Sequence, residues 1–253
     1  MSVATLPGRT LLALESLFKS PVRMRNGIPI ISFSFDDFPR SAYQTGGAIL
    51  GAHGFRGTYY AALGLMGTHE PVGEIFSRGD LASLVTDGHE LGCHTFGHCD
   101  AWNTAPQVFE QSIIDNARRL GELLPGSSFK TLSYPLSSPR LDTKRRAAKY
   151  FSCCRIGGQT YNAAVVDPRA LSAYFLEQAR DLDSVKKVID RNSAARGWLI
   201  FATHDVCQEA SDWGCRPRFF EDVVRYVSCS GAAVLPVGEA WDVVCALRNI
   251  PQR

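Results

Sequence analysis

Short apolar runs rich in β-branched and aromatic residues alternate with amphipathic stretches from residue 29 onwards. The first run, Ile30–Phe35, ends directly at Asp36 and Asp37, which is typical of a buried strand that meets a polar loop. Because parallel neighbouring strands need crossover helices, repeated strand-then-helix units predict an α/β fold with a parallel sheet. The number of units predicts a closed or nearly closed (β/α) barrel of about seven parallel strands. The further predicted strands are residues 58–62, 90–93, 130–134, 151–155, 172–176, 198–203 and 233–236.

Helices fit between most of these strands. One is predicted to begin at Thr104, which forms a capping-box pattern with Gln107, and to end before Pro125. Apolar residues recur at helical spacing after Thr104, and three further helices are predicted at residues 80–87, 182–196 and 217–227.

An open doubly wound sheet is the alternative to a barrel. Against it, the first strand is followed by an acidic sequence and not by a glycine-rich phosphate loop.

The chain has no long linker and no detectable internal repeat, which predicts one domain over residues 29–253 preceded by an N-terminal extension over residues 1–28. The apolar stretch at Leu11 to Leu14 is interrupted by Glu15 and Lys19, so we expect no export signal and a cytoplasmic location. No run approaches the roughly 20 apolar residues of a membrane span.

The net charge bears on the class of partner, and the cysteine content bears on the redox state of the thiols. A net charge of +2 without a dense basic face predicts no nucleic-acid partner. The eight cysteines of a chain this long favour reduced, mostly buried thiols over a disulfide framework. The oligomeric state stays open.

Three polar clusters follow predicted strands: Asp36 with Asp37, His94 to His98, and His204 with Asp205. Functional groups of parallel α/β folds collect at the carboxyl ends of strands, so the three clusters are expected to converge. Two imidazoles and one carboxylate with an open position are the ligand set of a catalytic zinc-type site. Such an ion lowers the pKa of bound water and polarises a carbonyl, which suits hydrolysis of an amide or ester.

A structural zinc site is the alternative for this histidine segment, with Cys93 and Cys99 as additional ligands. Cys93 and His94 are adjacent, whereas closed structural sites take their ligands in spaced pairs. Cys93 also ends an apolar strand, where its side chain is expected to face the core.

Two of these clusters resemble motifs of the polysaccharide deacetylase family. Residues 34–39, Ser-Phe-Asp-Asp-Phe-Pro, resemble the first motif, and residues 94–98, His-Thr-Phe-Gly-His, resemble the second. Residues 57–60 are similar to the second strand of the family, and residues 201–204 to its last motif. The resemblance covers about residues 28–245 and implies a distorted (β/α) barrel.

The resemblance also implies roles for individual residues. Asp37, His94 and His98 would bind a divalent metal, most simply zinc, with cobalt or nickel as further candidates. Asp36 would be the general base for the attacking water, and His204 the general acid that protonates the leaving amine. The backbone N–H of Leu136, in the third motif, would stabilise the oxyanion together with the metal.

The sequence departs from the family in two motifs. Where the family commonly has Arg-x-Pro-Tyr, residues 133–136 read Ser-Tyr-Pro-Leu, so the arginine that orients the base is missing. Arg155 could replace it from the next strand, although a structural or solvated arginine is as good an interpretation. A glycine of the first motif is Phe38, expected to alter the mouth of the site. The fourth motif is not recognisable, and its candidate substitutes are Asp181, Asp183, Trp198 and Trp213.

The leading hypothesis is a metal-dependent hydrolase that removes an acyl group from an amide nitrogen, most simply an acetyl group from an amino sugar or oligosaccharide. The alternatives are a small-molecule amidohydrolase or deformylase on the same barrel, and a ligand-binding barrel that has lost turnover. A long groove with an aromatic platform such as Trp102 or Trp213 would favour the oligosaccharide, and a closed pocket the small molecule.

Overall fold

The computed structural model of the protein describes residues 21–136 and 138–248. Nine of its strands form one sheet, in which every neighbouring pair is parallel. The strands are β1 Val22–Arg23, β2 Ile30–Phe35, β3 Thr58–Ala61, β4 His69–Glu70, β5 Gly73–Glu74, β6 Glu90–Cys93, β7 Thr131–Ser133, β8 Cys153–Ile156, β9 Val165–Val166, β10 Leu171–Ser172, β11 Tyr174–Phe175, β12 Trp198–Thr203 and β13 Ala233–Val234.

The strand order in the sheet is β10-β8-β7-β6-β3-β2-β12-β11. The strands at its two ends, β10 and β11, belong to one extended segment of the chain. β10 pairs with β8, whereas β11, one residue further along the chain, pairs with β12. The two edges are therefore joined and the sheet closes into a barrel. All eight predicted runs are barrel strands, one of them split at Ala173, which confirms the predicted fold.

β13 adds to the barrel beside its first strand. It pairs with Ile30 and Ile31 of β2, whereas β3 pairs with Ser34 and Phe35. Two short antiparallel pairs lie outside the barrel, β1 with β9 and β4 with β5, and neither follows from the hydrophobic pattern of the sequence.

In the described residues, seven α-helices connect or follow the strands, and a π-helical segment at Ala42–Gly47 leads into the first of them. The predicted capping box at Thr104 is wrong: Ala105 is the N-cap and Pro106 the first helical residue, since proline presets the helical φ and has no N–H to leave unpaired. Capping boxes occur instead at Ser77 and Asp181. The helices are α1 Ala48–Ala52, α2 Arg78–Thr86, α3 Pro106–Leu123, α4 Leu141–Ala147, α5 Leu182–Ala195, α6 Pro217–Ser228 and α7 Val237–Arg248.

The core divides into two clusters because alternate residues of a strand point to opposite faces of the sheet. Phe33 and Phe201 stack at a centroid distance of 5.5 Å in the cluster that also contains buried residues of α3, α5 and α6. Ile30 and Trp198 belong to the other cluster, with residues of α7 and with Val22. Both clusters pack helices against the barrel strands and so hold the strand ends in place.

The boundary predicted at residue 28 stays a prediction. Val22 and Met24 are buried against the barrel, and the apolar stretch at Leu11 to Leu14 lies outside the described residues, as do Glu15 and Lys19. None of the helices in the described part of the chain combines the length and the apolar character that a membrane crossing requires.

All eight cysteines are free thiols. Four are buried, three are partly buried, and Cys229 is exposed.

Candidate metal centre

The polar clusters that follow β2, β6 and β12 meet at one end of the barrel, around the side chain of Asp37. Its Oδ1 atom lies 3.1 Å from His98 Nε2 and 3.5 Å from His94 Nε2, and its Oδ2 atom lies 3.9 Å from His204 Nε2. The ligand atoms of Asp37, His94 and His98 all lie within 4.8 Å of one another. Atoms that bind one zinc ion tetrahedrally at about 2.0–2.2 Å lie roughly 3.3 Å apart, so the spacing suits a single ion.

The protonation and burial of these groups also fit a cation. His94 Nδ1 donates a hydrogen bond to the carbonyl of Ser133 at 2.8 Å, which leaves the lone pair of its Nε2 facing Asp37. Burial lowers the pKa of His94 to about 4, so the imidazole is neutral, as a metal ligand requires. Asp37 Oδ1 is buried and accepts no well-aligned hydrogen bond from the described residues. Burial alone would raise the pKa of Asp37, but its contact with His98 and the charges of the surrounding histidines hold it below the usual value.

Helix α3 holds the turn that carries the two histidines. Its Ser112 hydroxyl accepts the backbone N–H of Phe96 at 2.9 Å and that of Gly97 at 3.2 Å. Thr95 and His98 adopt left-handed backbone angles, with φ of 57° and 52°. Since such angles cost energy in non-glycine residues, the turn depends on these hydrogen bonds.

The side chain of Cys93 contacts α3 and is not part of the group formed by Asp37, His94 and His98. Its sulfur accepts a hydrogen bond from Asn116 at 3.3 Å, and the same asparagine bonds the backbone of Ala61 and Leu63. Burial raises the pKa of the Cys93 thiol to about 12, which opposes a thiolate ligand. The structural zinc site with Cys93 and Cys99 therefore finds no support in the geometry.

Asp36 is paired with Arg155, which reaches it from β8. Both side chains are buried, and the guanidinium of Arg155 lies 4.8 Å from the ring centre of Tyr60. Burial alone would raise the pKa of Asp36, but the charge of Arg155, followed by those of His94 and His204, lowers the pKa further than burial raises it. Arg155 thus supplies a cation beside Asp36, which residues 133–136 do not.

The loop after β12 fixes the orientation of His204. The Nδ1 atom of His204 lies 3.1 Å from the carbonyl oxygen of Trp213, to which it donates, so its Nε2 faces Asp37. The buried carboxylate of Asp205 accepts the N–H and the hydroxyl of Ser211 and closes this loop. A Cβ on Gly214 would lie 2.2 Å from Asp205 Oδ1, so the loop closes only around a glycine.

Of the four candidates for the missing fourth motif, only Trp213 lies at this site. Asp181 caps α5, and Asp183 is exposed and pairs with Lys186 at 3.4 Å. The indole N–H of Trp198 donates to Ser32 inside the barrel.

Leu136 and Phe38 both have left-handed backbone angles, with φ of 62° and 56°, but their side chains lie in different surroundings. Leu136 is exposed and lines the cavity beside Asp37. Phe38 is fully buried and stacks on Phe76 at a centroid distance of 4.7 Å. The prediction that Phe38 alters the mouth of the site is therefore wrong, because its ring points into the core.

The cavity above Asp37 has a volume of about 540 Å³. Pro71 and Val72, between β4 and β5, line one part of it, and the half-exposed ring of Trp213 lines another. Trp102 is exposed but does not line the cavity, so of the two predicted aromatic platforms only Trp213 is available to a substrate there.

Two features of the site were missed by reasoning from the sequence. The carbonyl of Ser133 orients His94, which no side-chain pattern signals. Glu177 lines the cavity two residues after β11. It directly follows the strand predicted over residues 172–176, and this position at a strand end could have identified it.

The comparisons with known proteins concern the family and the fold. The sequence model of the family described as polysaccharide deacetylase matches residues 24–152. A comparison with curated protein sequences found no match.

Several solved structures share this fold. The Xyl-CE4 domain of a multidomain xylanase from the hindgut metagenome of Trinervitermes trinervoides is 15% identical, with a TM-score of 0.60 over 86% of this chain and 91% of that chain. A family 4 acetyl xylan esterase from Clostridium thermocellum, solved with a cobalt ion, is 16% identical, with a TM-score of 0.59 over 88% and 93%. The peptidoglycan deacetylase PdaC from Bacillus subtilis is 14% identical, with a TM-score of 0.57 over 88% and 94%. These likenesses establish the fold, and the family match spans about half of the 253 residues. The chain therefore belongs to the polysaccharide deacetylase family.

Proposed function

We propose that the protein is a metal-dependent deacetylase that removes the acetyl group from the nitrogen of an amino sugar or oligosaccharide. The observation that supports this most directly is the separation of roles around Asp37. Three side chains converge as a ligand set, while Asp36 and His204 lie beside them and are held by other partners. A binding module for sugars has no need of such an arrangement.

Asp37, His94 and His98 would hold the metal ion. The donor set of two neutral imidazoles and one carboxylate suits zinc and also accepts cobalt or nickel. A divalent ion bound there would polarise the acyl carbonyl and lower the pKa of a water molecule.

The remaining residues transfer protons and stabilise the negative charge of the oxyanion. Asp36, ionised beside Arg155, accepts the proton of the attacking water, and His204 gives a proton to the departing nitrogen. The N–H of Leu136 donates a hydrogen bond to the oxyanion at the edge of the cavity. An amine leaves only after protonation, so a dedicated acid favours an amide substrate over an ester.

A small acylated molecule is the second candidate substrate. The cavity volume of about 540 Å³ lies within the range of ordinary small-ligand pockets, which is roughly 300–1,000 Å³. The third interpretation, a barrel without turnover, rested on the missing arginine and on the unrecognised fourth motif. The pairing of Arg155 with Asp36 speaks against the first of these two arguments. The cytoplasmic location stays a prediction, and the oligomeric state stays open.

Elemental analysis of the purified, metal-reconstituted protein tests the metal assignment. We expect one zinc, cobalt or nickel ion per chain, lost in Asp37→Asn and retained in the control Asp115→Asn, which changes an aspartate paired with Arg118 on the surface of α3. Metal that persists in Asp37→Asn would contradict the ligand set.

Acetate release from chitotetraose, from acetylated xylan and from small N-acylated sugars tests the reaction. His204→Ala should lower kcat by about 10²–10⁴-fold with the metal retained, which is the usual contribution of a general acid. Full activity in this variant, or no acyl release from any of the substrates, would contradict the proposed function.

A further inference from the structure

Glu177 follows the segment that closes the barrel and lies two residues after Phe175, which pairs with β12. It lines the same cavity as Asp36 and Asp37. It does not belong to the group of side chains that could hold the metal.

One oxygen of the Glu177 carboxyl group is unsatisfied, although the carboxyl group accepts a hydrogen bond from its own backbone N–H. Its Oε2 atom is buried and has no hydrogen-bond partner among the described residues. A buried polar atom without a partner is costly, so an orphaned oxygen in a cavity wall indicates a ligand that completes its bonding.

Four titratable or charged groups surround Glu177 from three neighbouring elements. Asp36 follows β2, Arg155 lies on β8, and Asp205 and Cys215 lie in the loop after β12. The cation among them, Arg155, is already paired with Asp36. An ionised Glu177 would therefore add a second buried anion beside Asp36 without a cation of its own.

We propose that Glu177 is a further substrate-binding residue, which as a neutral carboxylic acid hydrogen-bonds a hydroxyl group of the sugar; this inference rests on the proposed function of the cavity. A neutral acid offers one O–H donor and a carbonyl acceptor, the pair that matches a hydroxyl group. The residue thereby adds a polar contact to a cavity wall that is otherwise formed in part by Phe175 and Trp213.

The protonation state agrees with this assignment. Burial, with further contributions from the charges of Asp36 and Asp205, raises the pKa of Glu177 to about 8. The hydrogen bond from its own backbone N–H and the charge of Arg155 lower the pKa by less. Sugar binding through the acid form is thus available at neutral pH and is lost as the pH rises through that value.

The test compares Glu177→Gln, which keeps a donor and an acceptor but cannot ionise, with Glu177→Leu, which keeps neither. Glu221→Gln, an exposed change on α6, is the control. Below the pKa of about 8, we expect chitotetraose to bind Glu177→Gln as it binds the wild type. Glu177→Leu should raise the KM, and the Kd measured by calorimetry, roughly three- to tenfold with little change in kcat, as expected for one lost hydrogen bond.

The pH profile separates this role from a merely structural one. The KM of the wild type and of the control should rise above the pKa of about 8, whereas the KM of Glu177→Gln should not follow that rise. The infrared band of a protonated carboxyl, present in the wild type below that pH and missing in Glu177→Gln, gives a readout that needs no turnover.

The outcomes distinguish the two proposals. Acetate release by the wild type together with equal KM, Kd and pH profiles in all variants would overturn the role of Glu177 and leave the proposed function intact. Binding of chitotetraose that weakens in Glu177→Leu, without acyl release from any substrate, would overturn the proposed function and uphold this inference. Absence of the protonated-carboxyl band, or absence of chitotetraose binding to the wild type, would overturn the inference.

Discussion

Arg155, a residue outside the third motif, is the buried ion-pair partner of Asp36. It lies 119 residues after Asp36 in the chain, yet the two side chains form a buried ion pair. A buried charge without its partner is strongly destabilised, so Asp36 depends on Arg155 to stay ionised. From the sequence, Arg155 was either a replacement for the missing arginine or a structural or solvated arginine. Only the strand order of the barrel, in which β8 pairs with β7, brings Arg155 next to Asp36.

Arg155→Met tests this dependence. Without the guanidinium, burial raises the pKa of Asp36, less of the base is ionised at neutral pH, and kcat should fall about 10²-fold, with metal content unchanged. The comparison is acetate release and metal analysis beside Arg118→Met, a change at an exposed arginine of α3 that should leave both quantities unchanged. Unaltered kcat in Arg155→Met would show that Asp36 does not need this partner.

At the scale of elements, the loop over residues 205–215 and helix α3 position the histidines through buried polar groups. α3 was predicted from its apolar spacing, but Ser112 and Asn116, which hold the histidine turn and the strand ends, follow no periodic pattern. The predicted start at Thr104 failed for a related reason, because a local cap pattern competed with Pro106 two residues later. Hydrogen bonds between distant elements are invisible to a pattern that reads one element at a time.

Gly214→Ala should disrupt the loop. The added Cβ would meet the carboxylate of Asp205 at 2.2 Å, so the Trp213 carbonyl should move away from His204 Nδ1. We expect kcat to fall by roughly tenfold or more with metal content retained, since a small displacement of a catalytic group is costly.

The matched control for this change is Gly121→Ala in α3, where nothing lies within 4 Å of the new Cβ. That change should stabilise the helix by about 0.5–1 kcal/mol and leave kcat unchanged. Equal kcat in Gly214→Ala and the wild type would contradict the positioning role of the loop.

For the whole molecule, closure of the barrel is the property on which the site depends. The segment from Leu171 to Phe175 joins β8 to β12 and so brings Arg155 and His204 to the same cavity. The proposed ligands come from the ends of β2 and β6, which are separated by β3 in the sheet. A metal ion bound by these two strand ends would stabilise the folded barrel and not the unfolded chain.

Zinc should therefore raise the midpoint of thermal unfolding. At a free concentration about 100-fold above the Kd, the expected gain in the free energy of unfolding is about 2.7 kcal/mol. His94→Ala should remove the shift, and His53→Ala, a change outside the ligand group, should keep it. The same zinc-induced shift in His94→Ala would place the metal elsewhere.

The strands, their parallel arrangement and the polar clusters at their ends were determined by the sequence itself. Each depends on a local pattern, and the carboxyl ends of parallel strands lie at the same end of a barrel, which brought Asp37, His94 and His98 together. The tertiary structure alone decided that Arg155 pairs with Asp36, that Glu177 is left unsatisfied and that Phe38 turns into the core. The physical reason is that the direction and partner of a side chain depend on packing between elements far apart in the chain, which no local pattern contains.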